Sequence, residues 1–233
     1  MDNATRLQYL QAMGIDVWVS RNEAPVEDIQ PVATMDSKIE EQVEITGAIP
    51  HDWSVLQQEV AQCQRCDLHK TRTQTVFGTG DLSADWMFIG EAPGQNEDLE
   101  GKPFVGQAGT LLTEMIRAIG LQRDEVYIAN ILKCSPPNNR DPRVDEIKSC
   151  KNYLQQQIEW VQPKIILAVG RIAAQTILET KEPLSKLRGI VHQLENIPLV
   201  VVYHPAYLLR SLPEKRKAWH DLQLAMKVYQ EKK

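Results

Sequence analysis

The chain carries four short apolar runs, rich in β-branched residues, from residue 86 onwards. They cover residues 86–89, 126–129, 165–169 and 199–203. Each has about the length of a β-strand, and stretches with helical spacing separate them. Helices are predicted at about residues 107–119, 143–161, 171–180 and 214–230. Strands that alternate with helices indicate a parallel sheet covered on both faces. We therefore predict an α/β fold of three αβα layers around a central, mainly parallel four-stranded sheet.

A different pattern precedes the predicted sheet. Leu7, Leu10 and Met13 share one face of a short amphipathic helix, and an apolar cluster with Ile15 and Trp18 follows. The next stretch is acidic and contains prolines, as a tether does. We predict three parts in chain order: a docking segment over residues 1–22, an acidic linker over 23–50 and a globular domain over 51–233.

The net charge of −5 is unevenly distributed. Residues 1–50 hold three basic and nine acidic side chains, a charge of −6, which leaves 23 basic and 22 acidic ones, or +1, elsewhere. A near-neutral body can bind DNA through a local basic face, so composition neither supports nor excludes nucleic acid as a partner. No apolar run reaches the roughly 20 residues of a membrane span, and no secretory signal is recognisable, so we expect a cytoplasmic protein.

Four cysteines in a reducing compartment are more suited to metal binding or catalysis than to disulfides. Cys63 and Cys66 form a C-x2-C motif, and Cys134 and Cys150 come later in the chain. Four thiolates can hold zinc or a [4Fe–4S] cluster, and spacing alone does not choose between them. The stretch from residue 133 to 150 also carries Lys133 and Arg140, which could contact phosphates.

Polar motifs follow the predicted strand ends, which is where ligands bind in parallel sheets. They are residues 90–94 (GEAPG), Asn130, Gly170-Arg171 and His204-Pro205. With residues 101–106 (GKPFVG), residues 133–140 (KCSPPNNR) and the four cysteines, this order resembles the family 4 uracil-DNA glycosylases over roughly residues 53–230. The resemblance implies a base-excision repair enzyme, likewise an α/β domain, that removes uracil from DNA and holds a structural [4Fe–4S] cluster, with structural zinc as the alternative.

The resemblance also implies roles for individual side chains around a flipped-out uracil. Phe104 would stack on the base, and the Asn130 amide would hydrogen-bond to its O4 and N3. The backbone at Ala92 would contact O2, and His204 would stabilise the negative charge that develops on the leaving uracil. Glu91 is the preferred water-activating group, with Glu97 as a second carboxylate beside the substrate.

The segment after His204 resembles the part of these enzymes that enters the duplex. Leu208 or Leu209 would fill the space left by the flipped base, and Arg210 would contact phosphate, as would Arg140. The N-terminal residues 6–20 lie outside this resemblance. They are similar to the N-terminal peptide of the psi subunit of the bacterial replicative clamp loader, so we expect Ile15 and Trp18 to dock a clamp-loader subunit.

Two other hypotheses compete with the interpretation of the chain as a monomeric glycosylase. One is a protein that binds or covalently traps uracil-DNA without releasing the base, and the other is a replication adaptor with a vestigial domain. A trapping relative carries an inserted basic loop near its third cysteine, whereas residues 136–140 (PPNNR) continue here without an insert. The presence of Phe104, Asn130 and His204 argues against a vestigial site. Both alternatives predict no steady release of free uracil.

Overall fold

The structure is a computed structural model that describes residues 52–232. The predicted docking segment over 1–22, with Ile15 and Trp18, and the predicted linker over 23–50 lie outside the described residues. These expectations therefore stay predictions, as does the start of the globular domain at residue 51.

Six strands form one sheet. In chain order they are β1 (Thr79–Gly80), β2 (Trp86–Gly90), β3 (Tyr127–Asn130), β4 (Ile165–Val169), β5 (Val191–Leu194) and β6 (Ile197–Val202). Helices fill most of the remaining described chain: α1 (Trp53–Ala61), α2 (Gln95–Glu100), α3 (Gly106–Ala118), α4 (Val144–Val161), α5 (Arg171–Ile177), α6 (Leu184–Leu187), α7 (Pro205–Arg210) and α8 (Lys215–Gln230). No helix within residues 52–232 is long and apolar enough to cross a membrane.

The four predicted strands form the parallel centre of the sheet. The strand order is β1-β3-β2-β4-β6-β5, and β3, β2, β4 and β6 pair in parallel. The predicted number of four strands is wrong, because β1 and β5 add an antiparallel strand at each edge. Neither carries an apolar run: β1 has two residues, and β5 alternates exposed and half-buried positions, which suits an edge that is open on one side.

Helices cover both faces of the sheet, so the predicted αβα layering is confirmed. Met87 and Ile89 point to one face, where they join a buried cluster with residues of α1, α4 and α5. Phe88 points to the other face and packs with residues of α3, α7 and α8. All five positions of β2 are buried, as they are in β4, which is why these strands are apolar throughout rather than alternating. The loops that follow the parallel strands therefore emerge together at one edge.

Candidate active site

A cleft of about 850 Å³ opens where the parallel strands end. Its lining includes Gly170 and Arg171 at the end of β4 and eight of the predicted site residues, which come from the ends of β2, β3 and β6 and from the loops beside them. These eight are Glu91, Ala92, Glu97, Phe104, Asn130, Arg140, His204 and Arg210. The topology thus brings together segments that lie more than a hundred residues apart in the chain, as expected for the carboxyl edge of a parallel sheet.

Phe104 is held against the floor of the cleft. Its ring is buried, and a Cβ atom added to Gly90 would lie 2.5 Å from Phe104 Cζ and 2.4 Å from Asn130 Oδ1. Gly90 is therefore the residue that lets Phe104 and Asn130 approach each other. Phe104 itself has a left-handed backbone (φ 52°), and its carbonyl oxygen accepts a hydrogen bond of 3.0 Å from Arg123. This contact fixes a backbone conformation that non-glycine residues rarely adopt.

Glu97 joins two loops of the cleft. Its carboxylate accepts a hydrogen bond of 3.1 Å from the backbone N of Gly94 and another of 2.9 Å from that of Val105. The first closes the capping box of α2, and the second attaches the loop that carries Phe104. Both carboxylate oxygens are thus engaged by backbone donors. Glu97 lines the cleft, but its observed contacts hold two loops together.

Asn130 ends β3 with its side chain almost fully buried, at 2% exposure. The Nδ2 atom has no hydrogen-bond partner among the described residues. A buried amide donor without an acceptor costs roughly 1–3 kcal/mol. An unpaired donor in the floor of a cleft is therefore ready for an acceptor on a ligand, which would recover this free energy.

His204 caps the N-terminus of α7. Its Nδ1 atom accepts a hydrogen bond of 3.2 Å from the backbone N of Ala206, so the neutral ring carries its proton on Nε2. Burial, together with the positive charge of Arg210, lowers the pKa of His204 to about 4. The ring centroid lies 5.6 Å from that of Phe104, at an interplanar angle of 31°. At neutral pH the cleft therefore presents a neutral imidazole that can donate one hydrogen bond.

Glu91 is a half-buried carboxyl group that lines the cleft. Burial, with a further contribution from the negative charge of Asp141, raises its pKa to about 7, and Arg171 partly opposes this shift. Asp141 and Arg171 form an exposed ion pair of 2.8 Å, and both residues line the same cleft. Glu91 therefore exchanges a proton near neutral pH, which is the property of a general base or acid.

The four cysteines come together away from the cleft lining, where Cys63, Cys66, Cys134 and Cys150 line one small cavity. As they stand, no three Cys, His, Asp or Glu side chains within residues 52–232 form a metal-binding group. The thiols nevertheless fit a metal or cluster. Arg72 donates a hydrogen bond of 3.0 Å to Cys134 Sγ, and the backbone N of Lys133 donates one of 3.3 Å to Cys150 Sγ.

Burial raises the pKa of the Cys66 and Cys134 thiols, and it raises that of Cys150 to about 11. Without a positive partner these groups would stay protonated at neutral pH, so a cationic metal centre is the partner that would convert them to thiolate ligands.

Comparison of the sequence with known protein families supports an active site in this cleft. The family model described as "Uracil DNA glycosylase superfamily" matches residues 77–223 of this chain. A type-4 uracil-DNA glycosylase of Archaeoglobus fulgidus is 47% identical over 171 residues, which cover 70% of this chain and 85% of the relative. This chain belongs to the type-4 uracil-DNA glycosylase family. Type-4 enzymes of Sulfurisphaera tokodaii (47% identity; 70% of this chain, 77% of the relative) and Thermotoga maritima (42%; 67% and 83%) match similarly. The predicted family is confirmed.

The predicted DNA-contacting residues of this type-4 chain differ in their exposure. Leu209 is 38% exposed and Arg210 is also exposed. Leu208 is buried at 1% in the core beneath α7, so of the two leucines predicted to insert only Leu209 lies on the surface in this structure. Lys133 is buried at 1% and does not reach phosphates, contrary to expectation. Arg140 makes two hydrogen bonds to the buried Glu146, so its main observed contact is within the fold.

Sequence reasoning missed some residues of the site. Arg171 belongs to one of the predicted strand-end motifs but was given no role, because its pairing with Asp141 depends on the start of α5 meeting a loop that is distant in the chain. Gln157 is fully buried on α4 and bridges Lys133 Nζ to Tyr127 and Phe77. It shares the apolar face of that helix with Cys150 and Leu154, and a polar residue on such a face was an available signal.

Proposed function

We propose that this chain hydrolyses the N-glycosidic bond of deoxyuridine in DNA, releasing uracil and leaving an abasic site. Membership of the type-4 family supports the reaction. The observation that carries it is the unpartnered Nδ2 of Asn130, buried in a cleft next to Phe104. Because a base inside a duplex is out of reach, the nucleotide would be rotated out of the helix into this cleft.

Asn130 would select uracil by its hydrogen-bonding edge. Its Nδ2 donates to O4 of the base, and its Oδ1 accepts from N3–H. Cytosine presents a donor at the first position and an acceptor at the second, so both contacts would be lost. A site whose buried polar groups are left unpaired by the wrong substrate discriminates strongly. Phe104, fixed by Arg123 and Glu97, supplies the stacking surface for the base.

His204 would assist departure of the base. As the bond breaks, negative charge collects on uracil O2, and a donor already aimed at that position stabilises the transition state more than the ground state. The Nε2–H of His204 is such a donor, because Nδ1 is already occupied by the backbone N of Ala206. The backbone N–H of Ala92 is the second donor to O2. Since the imidazole stays neutral at physiological pH, it acts by hydrogen bonding rather than by donating a full charge.

Glu91 would orient the attacking water and balance the positive charge on the sugar. It is favoured over Glu97, whose two oxygens are both engaged by backbone N–H groups. Its pKa of about 7 means that the charged, water-orienting form is present at working pH. Leu209 would enter the space vacated by the flipped nucleotide, with Arg210 and Arg140 on the phosphates.

The four cysteines would hold a [4Fe–4S] cluster, and zinc would use the same ligands. When bound, the group supplies a thiolate-ligated cross-link between the segment of Cys63 and Cys66 and the segments of Cys134 and Cys150. Its contribution is to folding. Metal analysis of the purified protein decides between iron and zinc, and Cys150→Ala should lower both iron content and melting temperature.

The N-terminal residues 6–20 would recruit the enzyme to a clamp-loader subunit through Ile15 and Trp18, with the enzyme acting as a monomer in the cytoplasm. The cluster of apolar residues with a Trp, ahead of an acidic tether, supports the docking role. Affinity capture with the full chain should retain a clamp-loader subunit, and Trp18→Ala should abolish retention. Equal retention by both proteins would refute it, and light scattering checks the monomer.

The decisive experiment measures free uracil released from a uracil-containing oligonucleotide in the presence of chelator. The wild type should turn over many times, His204→Ala should lose most of this rate, and His220→Ala, which alters an exposed histidine, should not. Tight or covalent retention of the oligonucleotide without release would instead identify a uracil-DNA binding protein. No interaction with uracil-DNA would leave only the adaptor role.

A further inference from the structure

Lys133 is a buried lysine with a very restricted environment. Its side chain is 1% exposed, and Nζ donates hydrogen bonds of 2.9 Å to the backbone O of Asn130 and 2.6 Å to Oε1 of Gln157. Both acceptors are neutral, and within residues 52–232 no carboxylate oxygen lies within 4 Å of Nζ. A buried charge without an opposite charge is costly, so negative charge nearby would stabilise the ammonium form of Lys133.

Such negative charge would come from the cysteine cavity, whose lining includes Lys133. The backbone N of Lys133 donates to Cys150 Sγ, and Arg72, on another segment, donates to Cys134 Sγ. Four thiolates bring four negative charges, which a metal or cluster core offsets only in part. The lining holds three cationic residues, Arg65, Arg72 and Lys133, and their positive charge is the complement that an occupied site needs.

The same segment leads directly to the base-reading residue. Residues 130–134 run from Asn130 to Cys134, and two of them are hydrogen-bonded to the end of β2 and the residue that follows it. Ile131 N donates to Gly90 O at 3.0 Å, and Leu132 N donates to Glu91 O at 3.1 Å. Any shift of this segment at the cysteine end would therefore move the Asn130 side chain and the backbone of Glu91 together.

Gln157 makes this connection rigid. While its Oε1 accepts from Lys133 Nζ, its Nε2 donates to Tyr127 Oη at 3.0 Å and to Phe77 O at 2.9 Å. A connected buried network of this kind is stiff, because each member fixes the orientation of the next. Lys133 is the only member of this network that also lines the cysteine cavity in the described chain.

We propose that Lys133 is a positioning residue that couples the occupied four-cysteine site to the base-reading Asn130. Its charge balances the ligated thiolates, and its two hydrogen bonds hold the end of β3 in the geometry that reads uracil. The proposal rests on the proposed function for the role of Asn130, and on the geometry alone for the connection to the cysteines. The cysteine site would then affect how well the base is held during cleavage, as well as whether the protein folds.

The test compares Lys133→Met, Gln157→Met and the exposed control Lys227→Met in the full chain. Iron per chain, its rate of loss in chelator and the kinetics of uracil release are measured for each protein. For Lys133→Met we expect faster iron loss. In the iron-loaded fraction we expect a fall in kcat of about 10–100-fold with KM changed less than about threefold, because a small misplacement of a catalytic contact acts on the transition state. Lys227→Met should match the wild type.

Gln157→Met keeps the proposal testable if Lys133→Met does not fold. Gln157 does not line the cysteine cavity, so this variant should retain iron normally and still show the same fall in kcat. Iron-loaded Lys133→Met or Gln157→Met with wild-type kcat would overturn the coupling. If the wild type itself releases no uracil, the proposed function fails instead. In that case the rate of iron loss in chelator still tests whether Lys133 stabilises the occupied cysteine site. A rate in Lys133→Met equal to that of the wild type would overturn this part of the proposal.

Discussion

The ring of Phe104 lies 5.6 Å from that of His204, with an angle of 31° between the two planes. One ring comes from the loop before α3 and the other from the start of α7, so the two helices set this spacing. The arrangement allows one residue to face the plane of a bound base while the other reaches its edge. The two side chains can therefore act on one uracil by different forces, stacking and hydrogen bonding.

Phe104→Leu should separate these forces, since it keeps apolar volume and removes the aromatic face. Stacking of a base on an aromatic side chain contributes about 1–3 kcal/mol, so kcat/KM for uracil release should fall about 5- to 150-fold. Melting temperature should change little, because Leu still fills the site beside Gly90. A kcat/KM equal to that of the wild type would show that Phe104 does not contact the base.

Asn130→Leu should abolish uracil release without destabilising the fold. In the free protein, Nδ2 of Asn130 is buried without a partner, and an apolar side chain of similar shape removes that cost. We expect kcat/KM to fall at least about 100-fold, with a melting temperature equal to or above that of the wild type. A large drop in melting temperature would mean that the amide has a structural partner in the free protein, contrary to this interpretation.

Glu91 should give the reaction a pH dependence. Its pKa of about 7 means that the carboxylate form increases as pH rises through neutrality, so kcat/KM should rise with pH and level off above about pH 8. Glu91→Gln should be slow at every pH and should lack this rise. A wild-type profile that is flat between about pH 6 and pH 8 would exclude Glu91 as the ionising group.

The same shift predicts an effect on stability, with a definite sign. A carboxyl group whose pKa is higher in the folded state stabilises the fold at low pH, and this contribution is lost as pH rises from about 4.5 through about 7. Ionised Glu91 thus costs free energy of folding at pH 8. The melting temperature of Glu91→Gln relative to the wild type should therefore be higher at about pH 8 than at about pH 5.

The parallel strands could be predicted because burial on both faces makes each strand apolar throughout. β2 and β4 have five buried positions each, and such runs are visible without any knowledge of tertiary contacts. β5 could not be found in this way. It is an edge strand with His192 and Gln193 at its centre, and its turn to β6 uses Glu195 at a φ of 54°, where the usual signal is Gly or Asn.

The site residues were predictable to the extent that they follow strand ends. Asn130 and His204 do, and the structure places both in the cleft. The exposure of a single lysine or leucine follows no such rule. Lys133 lies in a basic, proline-containing segment that suggests a surface, yet Nζ hydrogen-bonds to Asn130 and to Gln157, and only the tertiary fold brings Gln157 to it. Leu208 and Leu209 are adjacent and identical, and only the orientation of α7 distinguishes them.

Leu208 and Leu209 therefore form a matched pair of variants. Leu208→Ala should reduce the free energy of unfolding by about 2–5 kcal/mol, since Leu208 is 1% exposed in the core. Leu209→Ala should leave it within about 1 kcal/mol of the wild type, since Leu209 is on the surface at 38% exposure. Urea titration of the two proteins measures both values.

The two substitutions should rank the other way round in their effect on uracil release from duplex DNA, where Leu209→Ala should have the larger effect. Leu209→Ala should slow uracil release from duplex DNA more than from single strands, because an inserted side chain offsets unstacking that a single strand does not require. Leu208→Ala, assayed well below its melting temperature, should keep the duplex-to-single-strand rate ratio of the wild type. An unchanged ratio in Leu209→Ala and a reduced one in Leu208→Ala would mean that α7 rotates on binding DNA and brings Leu208 out of the core.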